Sequence, residues 1–450
     1  MTYRLADFQG ALTETDVKRH LEFTFTCPPG AEGLEFTLTF TPAEVAGIRN
    51  MLCLSVSSPN GFRGSGHRGG TEHRVLLGED FATLGYLPGV VEAGVWHVFV
   101  HTHMIMPEQP LSYRLEVHLT DAPTAQPQRH RKPAPPERGP GWYKGDLHAH
   151  STHSDAAWTV KDLVASAGRF DLDFITLSDH NTVSGLPEME TLATPELLTV
   201  GGFELTTFYG HALALGRRSW LDWLHTPMTE LAERADTEGL FIIAHPRREG
   251  DPFCTGCRWA YPELTPGTAR VVEIWNSGSW GQHNEEALAL WYSWLNEGHK
   301  IIASAGTDAH RAAPEGVQVG FNVVYADALT EQAILTAVRR GRSYLSSGPK
   351  LELTLPDQLE PVTGDIVPPS TPLSLCYTDV PDGASLRLVT NGVVERKTNL
   401  VGSGRLELSL PTSARWGVLE LRAPDGTMLA VTNPVFTPIT TVAFEGLALP

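Results

Sequence analysis

From residue 142 to residue 349 the chain alternates apolar runs of strand length with amphipathic segments of helical period, and most of the apolar runs stop at a histidine or a carboxylate. Strand, helix, strand repeated over such a length argues for a largely parallel sheet, open or closed, because parallel neighbours need a crossover between them. The strand-like runs are "YKGDLHAH", "LDFITLSDH", "LLTVGGFELTT", "HALALG", "LFIIAHP", "VVEIWNS", "IIASAGTDAH" and "FNVVYA". Helical segments such as "PMTELAERADTEG" and "TEQAILTAVRRG" lie between many of them. Thr159 and Asp162 have the spacing of a capping box, and Val160, Leu163, Val164 and Ala167 follow at helical spacing.

The flanks read differently. Residues 1–122 carry runs such as "LEFTFT", "LEFTLTF", "GVWHVFVHTHM" and "YRLEVHL", which alternate apolar and polar and predict a β-sandwich. His97, His101 and His103 share one strand face there, expected to be the polar, solvent-facing side. A Pro- and charge-rich stretch, 123–141, reads as a linker. After residue 350 the helical pattern stops, and 350–450 reads as a second β-sandwich with an Asn391-Gly392 hairpin turn. A chain of 450 residues is too long for one core, so this division is expected.

A net charge of −18 argues against a long nucleic-acid polymer as partner, though bound cations could still recruit a small anion. The N-terminus "MTYRLADFQG" shows no secretory signal, and no apolar run reaches membrane-spanning length, so a cytoplasmic location is expected. The five cysteines, at 27, 53, 254, 257 and 376, suggest reduced thiols. Cys254 and Cys257 form a single CxxC without a second pair, and are expected to be spectators.

The strand ends carry the chemistry. His148, His150 and Asp155 follow the first run, Asp179 and His180 end the second, and Glu204 lies near the end of the third. His211 opens the next run, and His245, Asp308 and His310 close later ones. In barrel-like α/β folds such ends converge, which would gather six His, two Asp (Asp155 and Asp308) and one Glu around a metal centre. Imidazole with carboxylate suits Zn, Mn or Fe(II), and Glu204 is the best candidate for a bridge between ions.

The ordered set "DLHAHSTHSD", "DFITLSDHNT", "GFELTT", "GHALALG", "IIAHP" and "GTDAH", with the tail "ALTEQAILTAVRRGRSYLSSGP", resembles the PHP (polymerase and histidinol phosphatase) superfamily, in detail the CehA/McbA-type metallohydrolases. The resemblance covers about residues 142 to 350. It implies an α/β fold: a distorted seven-stranded β/α (TIM-like) barrel of PHP type, here flanked by N-terminal and C-terminal β-sandwiches. It also implies two or three divalent ions. His148, His150 and Asp308 would hold the first, with Glu204 bridging. His211 and His245 would hold the second, sharing Glu204, and Asp155, His180 and His310 the third. Asp179 would orient His180 from behind. His153 occupies no ligand position, and Ala156 stands where a Gly is usual.

Such a centre presents hydroxide, bridging the metals, as a nucleophile at neutral pH, which suits hydrolysis of a small anionic phosphoester. A carbamate, aryl ester or amide is the alternative. Arg247 and Arg248 follow His245, and in phosphoesterases of the superfamily an arginine follows this position, which singles out Arg248. Trp275 and Asn276 end a strand and are placed to face the site. A binding protein acting through its sandwiches is the minor alternative.

Overall fold

The computed structural model describes residues 3–122 and 138–438. Most of the expected linker, 123–137, lies outside the described residues. The fold is mixed α/β, with sheet predominating.

Two four-stranded antiparallel sheets form the N-terminal unit. One contains Tyr3–Leu12, Leu111–Thr120, Gly33–Thr41 and Glu72–Gly78; the other contains His20–Cys27, Gly94–Met104, Met51–Ser58 and Gly61–Gly66. Strand alternation sends Phe36, Leu38, Leu54, Trp96, Val98 and Leu115 into one apolar core between them. The opposite face of the second sheet departs from expectation. His97 stays partly exposed beside Glu22, but His101 and His103 are only 1% and 2% exposed. Phe208 and Trp223 of the central unit cover them. Alternation shows which side chains share a face, not what packs on it.

The central sheet runs in the order Ile302–Gly306, Val271–Asn276, Leu240–Ile243, His211–Leu215, Leu198–Thr206, Phe174–Leu177, Gly141–Asp146. His211–Leu215 is antiparallel to both its neighbours, because a four-residue turn replaces the helical crossover before it. Beyond the outermost strands the chain meets itself. Ala149 bridges Ala309 in parallel, the Asp308 N–H donates to the His148 carbonyl (2.8 Å), and the His150 N–H donates to the Ala309 carbonyl (3.0 Å).

The helices form where the sequence cues lie. Val160–Ser166 starts at Thr159, whose hydroxyl accepts from the Asp162 N–H, and it buries Val160, Leu163 and Val164. Met228–Glu238 and Glu331–Arg340 pack apolar stripes inward, and Gln282–Asn296 buries Trp291 and Trp294. Among the described residues, no helix is long and apolar enough to cross a membrane.

The central sheet does not stop at Gly141–Asp146. It continues through Phe321–Ala326 and Ser343–Ser346 into Met428–Thr432, Trp416–Arg422, Ser385–Thr390 and Val393–Asn399. A second sheet of Lys350–Thr354, Leu373–Val380 and Gly402–Leu408 closes over Leu386 and Leu421. Asn391 (φ 51°) and Gly392 (φ 83°) make the hairpin turn their sequence implies. Arg422, buried, pairs with Glu420 and with Glu285 of helix Gln282–Asn296, locking that helix to the C-terminal strands.

Candidate metal centre

The candidate ligands gather at one end of the central sheet, after the carboxyl ends of most strands and, for the antiparallel His211–Leu215, at its amino end. His148 and His150 sit in the extended segment after Gly141–Asp146, with Ala149 buried between them, so both imidazoles project to one side. Their Nε2 atoms lie 3.1 Å apart. Nε2 of His148 is 3.3 Å from Glu204 Oε2, and Nε2 of His150 is 3.4 Å from the same oxygen and 3.0 Å from Asp308 Oδ1. The other oxygen of Glu204 faces different histidines: Oε1 is 3.0 Å from His211 Nδ1 and 3.0 Å from His245 Nε2. A third group forms around Asp155, whose Oδ1 is 3.1 Å from His310 Nε2 and 3.5 Å from His180 Nε2. His150 also lies within reach of this group, and His180 Nδ1 is 2.9 Å from Glu204 Oε2.

The structure thus brings all nine sequence-derived positions together, with Glu204 fully buried at the middle. Glu204 Oε2 has three imidazole nitrogens within 3.4 Å yet no well-directed hydrogen bond, and His150 Nδ1 is also without a partner. One proton can sit between two facing nitrogens, whereas a cation accepts all the converging lone pairs at once. The donor set therefore fits divalent transition metals.

Charge explains the titration. Burial would raise the Glu204 carboxyl, but the imidazoles of His180, His148 and His211 outweigh it and hold it well below the usual range. Burial lowers His148, yet Glu273, Glu204 and Asp308 carry it well above the ordinary imidazole value. His310 is pushed up to about 9, its burial overcome by the hydrogen bond to Asp155 and by Asp308. His150 is lowered to about 4 by burial and by the neighbouring His180.

No protein-family model matches the chain, and no curated protein matches it. Among solved structures it is similar to a two-domain protein from Bacteroides vulgatus described as containing a PHP-like metal-dependent phosphoesterase, at 20% identity and a TM-score of 0.40, covering 69% of this chain and 100% of that one. A Bifidobacterium adolescentis protein described as a metal-dependent phosphoesterase is 16% identical, with a TM-score of 0.30, covering 46% of this chain and 96% of that one. An amidohydrolase from Chromobacterium violaceum, with bound sulfate and no metal, is 14% identical, with a TM-score of 0.28, covering 38% of this chain and 92% of that one.

Beside this cluster, Asp179 takes a different place from the one its position implied. Its carboxylate accepts from the Ser151 N–H (2.8 Å), the Ser151 hydroxyl (2.7 Å) and the Ser154 hydroxyl (2.6 Å). It anchors the turn after His150, while Thr206 Oγ1 lies against His180 Nδ1 at 2.5 Å.

Glu273 was missed. Only 1% exposed, it places Oε1 3.2 Å from His148 Nδ1, and its Oε2 accepts from the His245 backbone N–H and from Asn276 Nδ2, each at 2.9 Å. Its signal was an acid inside the apolar run "VVEIWN". Gly306 makes room for it: a Cβ there would lie 2.0 Å from Glu273 Oε1 and 2.3 Å from His148 Cβ. Asp146, raised to about 6 by burial against its hydrogen bonds from Thr307, joins the first and last strands behind the site.

Arg247 and Arg248 line a cavity of about 760 Å³ with Asp155, His180, His211 and His245. Trp275 does not line it; the ring is 1% exposed, and its Nε1 donates to the Gly278 carbonyl while Trp280 packs edge-on. Cys254 and Cys257, expected as free thiols, are joined in a disulfide, since the turn brings their Cα atoms to 5.5 Å. The same turn reaches the cluster, with the Cys257 carbonyl 3.1 Å from His245 Nδ1 and the Thr255 carbonyl 3.3 Å from His211 Nε2.

Proposed function

We propose that the chain is a metal-dependent hydrolase of the PHP superfamily, CehA/McbA type, acting as a phosphoesterase on a small anionic substrate. One observation carries this reading: a fully buried Glu204 divides its two oxygens between separate histidine groups, three at Oε2 and two at Oε1, with Arg247 and Arg248 on the adjoining cavity wall. Two or three ions, Mn, Zn or Fe, would be held by His148, His150 and Asp308, by His211 and His245, and by Asp155, His180 and His310, with Glu204 shared. Bound there, they supply Lewis acidity and lower the pKa of water. The chain's own residues do the rest. The carboxylates of Glu204 and Asp308 fix the imidazoles, Glu273 holds His148 by its far nitrogen, and Arg248 binds the phosphoryl group through its planar fork. In this reading the seven central strands form a distorted barrel, closed at Ala149 and Ala309. The units 1–122, 142–349 and 350–450 are then domains, the last two sharing a sheet.

A second reading, a carbamate or aryl ester hydrolase, draws on a neighbouring cavity of about 900 Å³. It shares Asp155, Asp308 and His310 with the first cavity but is lined by Trp158, Phe170, Ile175, Val319 and Phe321. An apolar aryl group would fit such walls.

Substrate comparison in one variant separates the two. With a phosphoester, Arg248→Ala should lower kcat/KM about ten- to a hundredfold, from loss of charge-assisted hydrogen bonds, and Arg248→Lys should restore part of it. A neutral aryl ester should be almost unaffected. Equal losses on both would remove Arg248 as the phosphoryl contact. Carbamate turnover without phosphoester turnover in the wild type would overturn the phosphoesterase reading.

A further inference from the structure

The histidine-bearing face of the N-terminal unit holds a second cluster with a different chemistry. Cys53 lies on strand Met51–Ser58, His103 on strand Gly94–Met104, and His67 directly follows strand Gly61–Gly66. Cys53 pairs across the ladder with His101, and Leu54 with Gly66, so Cys53, His67 and His103 fall on the same side of the sheet, toward the central unit. They are 1%, 9% and 2% exposed. Cys53 Sγ is 3.6 Å from His67 Nδ1, the His67 and His103 rings meet edge to face at 4.9 Å, and one donor atom from each of the three residues lies within 4.8 Å of the others.

A further observation sets this apart from a packed hydrogen-bond pair. Nδ1 of His103 is buried without a partner, although buried polar atoms are normally satisfied. Tetrahedral zinc with ligands at about 2.0–2.3 Å holds neighbouring donors about 3.3–3.8 Å apart. The sulfur–nitrogen distance is already in that range, and the other donor pairs lie within 4.8 Å.

We propose that Cys53, His67 and His103 bind a zinc ion, separate from the carboxylate-rich centre, with a fourth position left for a further ligand. One thiolate with two imidazoles is a soft set that selects Zn(II) over the Mn or Mg that oxygen-rich sites accept. His67 connects the two centres, since its ring is 4.6 Å from that of His180 and it lines the same cavity as Arg248. The ion would tether the N-terminal sheet to the wall of that cavity.

Cobalt substitution tests this without reference to turnover. Full-length protein stripped by chelation and titrated with Co(II) should develop a near-ultraviolet sulfur-to-cobalt charge-transfer band, which the thiolate-free main centre cannot produce. Cys53→Ser should abolish the band and lower the zinc content by one ion per chain. The Cys254→Ser/Cys257→Ser double variant should keep both. His103→Gln should weaken cobalt binding at least tenfold while the band survives at saturation. Wild-type protein without the band, or a band that persists in Cys53→Ser, would overturn the site. If Cys53→Ser fails to fold by circular dichroism, the wild-type band and His103→Gln decide. Loss of metal from the main centre would leave the band in place, so the two readings fail separately.

Discussion

Two H-x-H motifs, His101-Thr102-His103 and His148-Ala149-His150, are both buried in this protein and have opposite electrical surroundings. Burial pushes every imidazole in both regions toward the neutral form. In the N-terminal region nothing reverses it, and at His67 burial and the neighbouring His180 outweigh the opposing charges of Asp155 and Glu204. His20 falls to about 4 and His67 to about 3, and His101 and His103 lie well below the ordinary value. In the central region carboxylates reverse the outcome for His148, His180, His245 and His310, while His150 and His211 remain lowered. Motif and burial are alike, and the acids that fold in from distant strands decide what the histidines can do.

Removing the central acid should have the largest effect. Glu204→Gln keeps the shape but deletes the charge that five imidazoles share, leaving converging cations without compensation. Turnover should fall by at least about a thousandfold, and metal per chain should drop in elemental analysis, with far-ultraviolet circular dichroism unchanged. Near wild-type turnover would show that the central cluster is electrically no different from the N-terminal one.

Glu273 gives a smaller, graded test. It touches His148 from behind and not from the cavity, so Glu273→Gln should weaken metal affinity about 10–100-fold while leaving turnover at saturating metal nearly intact. A chelator titration followed by re-addition of metal reads the two effects apart. Unchanged affinity would mean that Glu273 serves only the His245 backbone and Asn276.

How much of this could be read from the residues follows the same division. The central strands, the helices Met228–Glu238 and Glu331–Arg340, the capping box and the Asn391-Gly392 turn all rest on local spacing, and they were legible. So was the convergence of the nine strand-end positions, because alternation and chain direction fix where strand ends go. The cover over His101 and His103 was not legible, because Phe208 and Trp223 arrive from a hundred residues downstream. Nor was the continuation of the central sheet through Ser343–Ser346 into Met428–Thr432, since an edge strand's partner leaves no local mark. Asp179 was misplaced for a related reason: its neighbour in sequence is His180, but its neighbours in space are Ser151 and Ser154.

The smallest expected effect is on stability against acid, and it isolates the N-terminal cluster. His20 Nδ1 and His101 Nδ1 are 2.8 Å apart, and Ser55 Oγ lies 2.7 Å from His101 Nε2. One proton lies between the two rings, so the pair cannot carry two charges. The folded state therefore holds these groups neutral, whereas the unfolded chain protonates them near the ordinary imidazole value of about 6.5. Between that value and the lowered folded value the unfolded state binds more protons, so stability is fully present above about pH 6.5 and declines as the pH falls below it. A single fully buried histidine contributes a slope of at most about 1.4 kcal/mol per pH unit in that window. His101→Gln keeps the hydrogen-bonding capacity but cannot titrate. Its unfolding free energy, measured by denaturant titration at pH 7.5, 6.0 and 5.0, should fall less steeply than that of the wild type. The difference between the two curves cancels whatever the metal centre contributes to both. Parallel curves would mean that His101 takes a proton in the folded state despite its burial, and the contrast between the two H-x-H motifs would then lose its electrostatic basis.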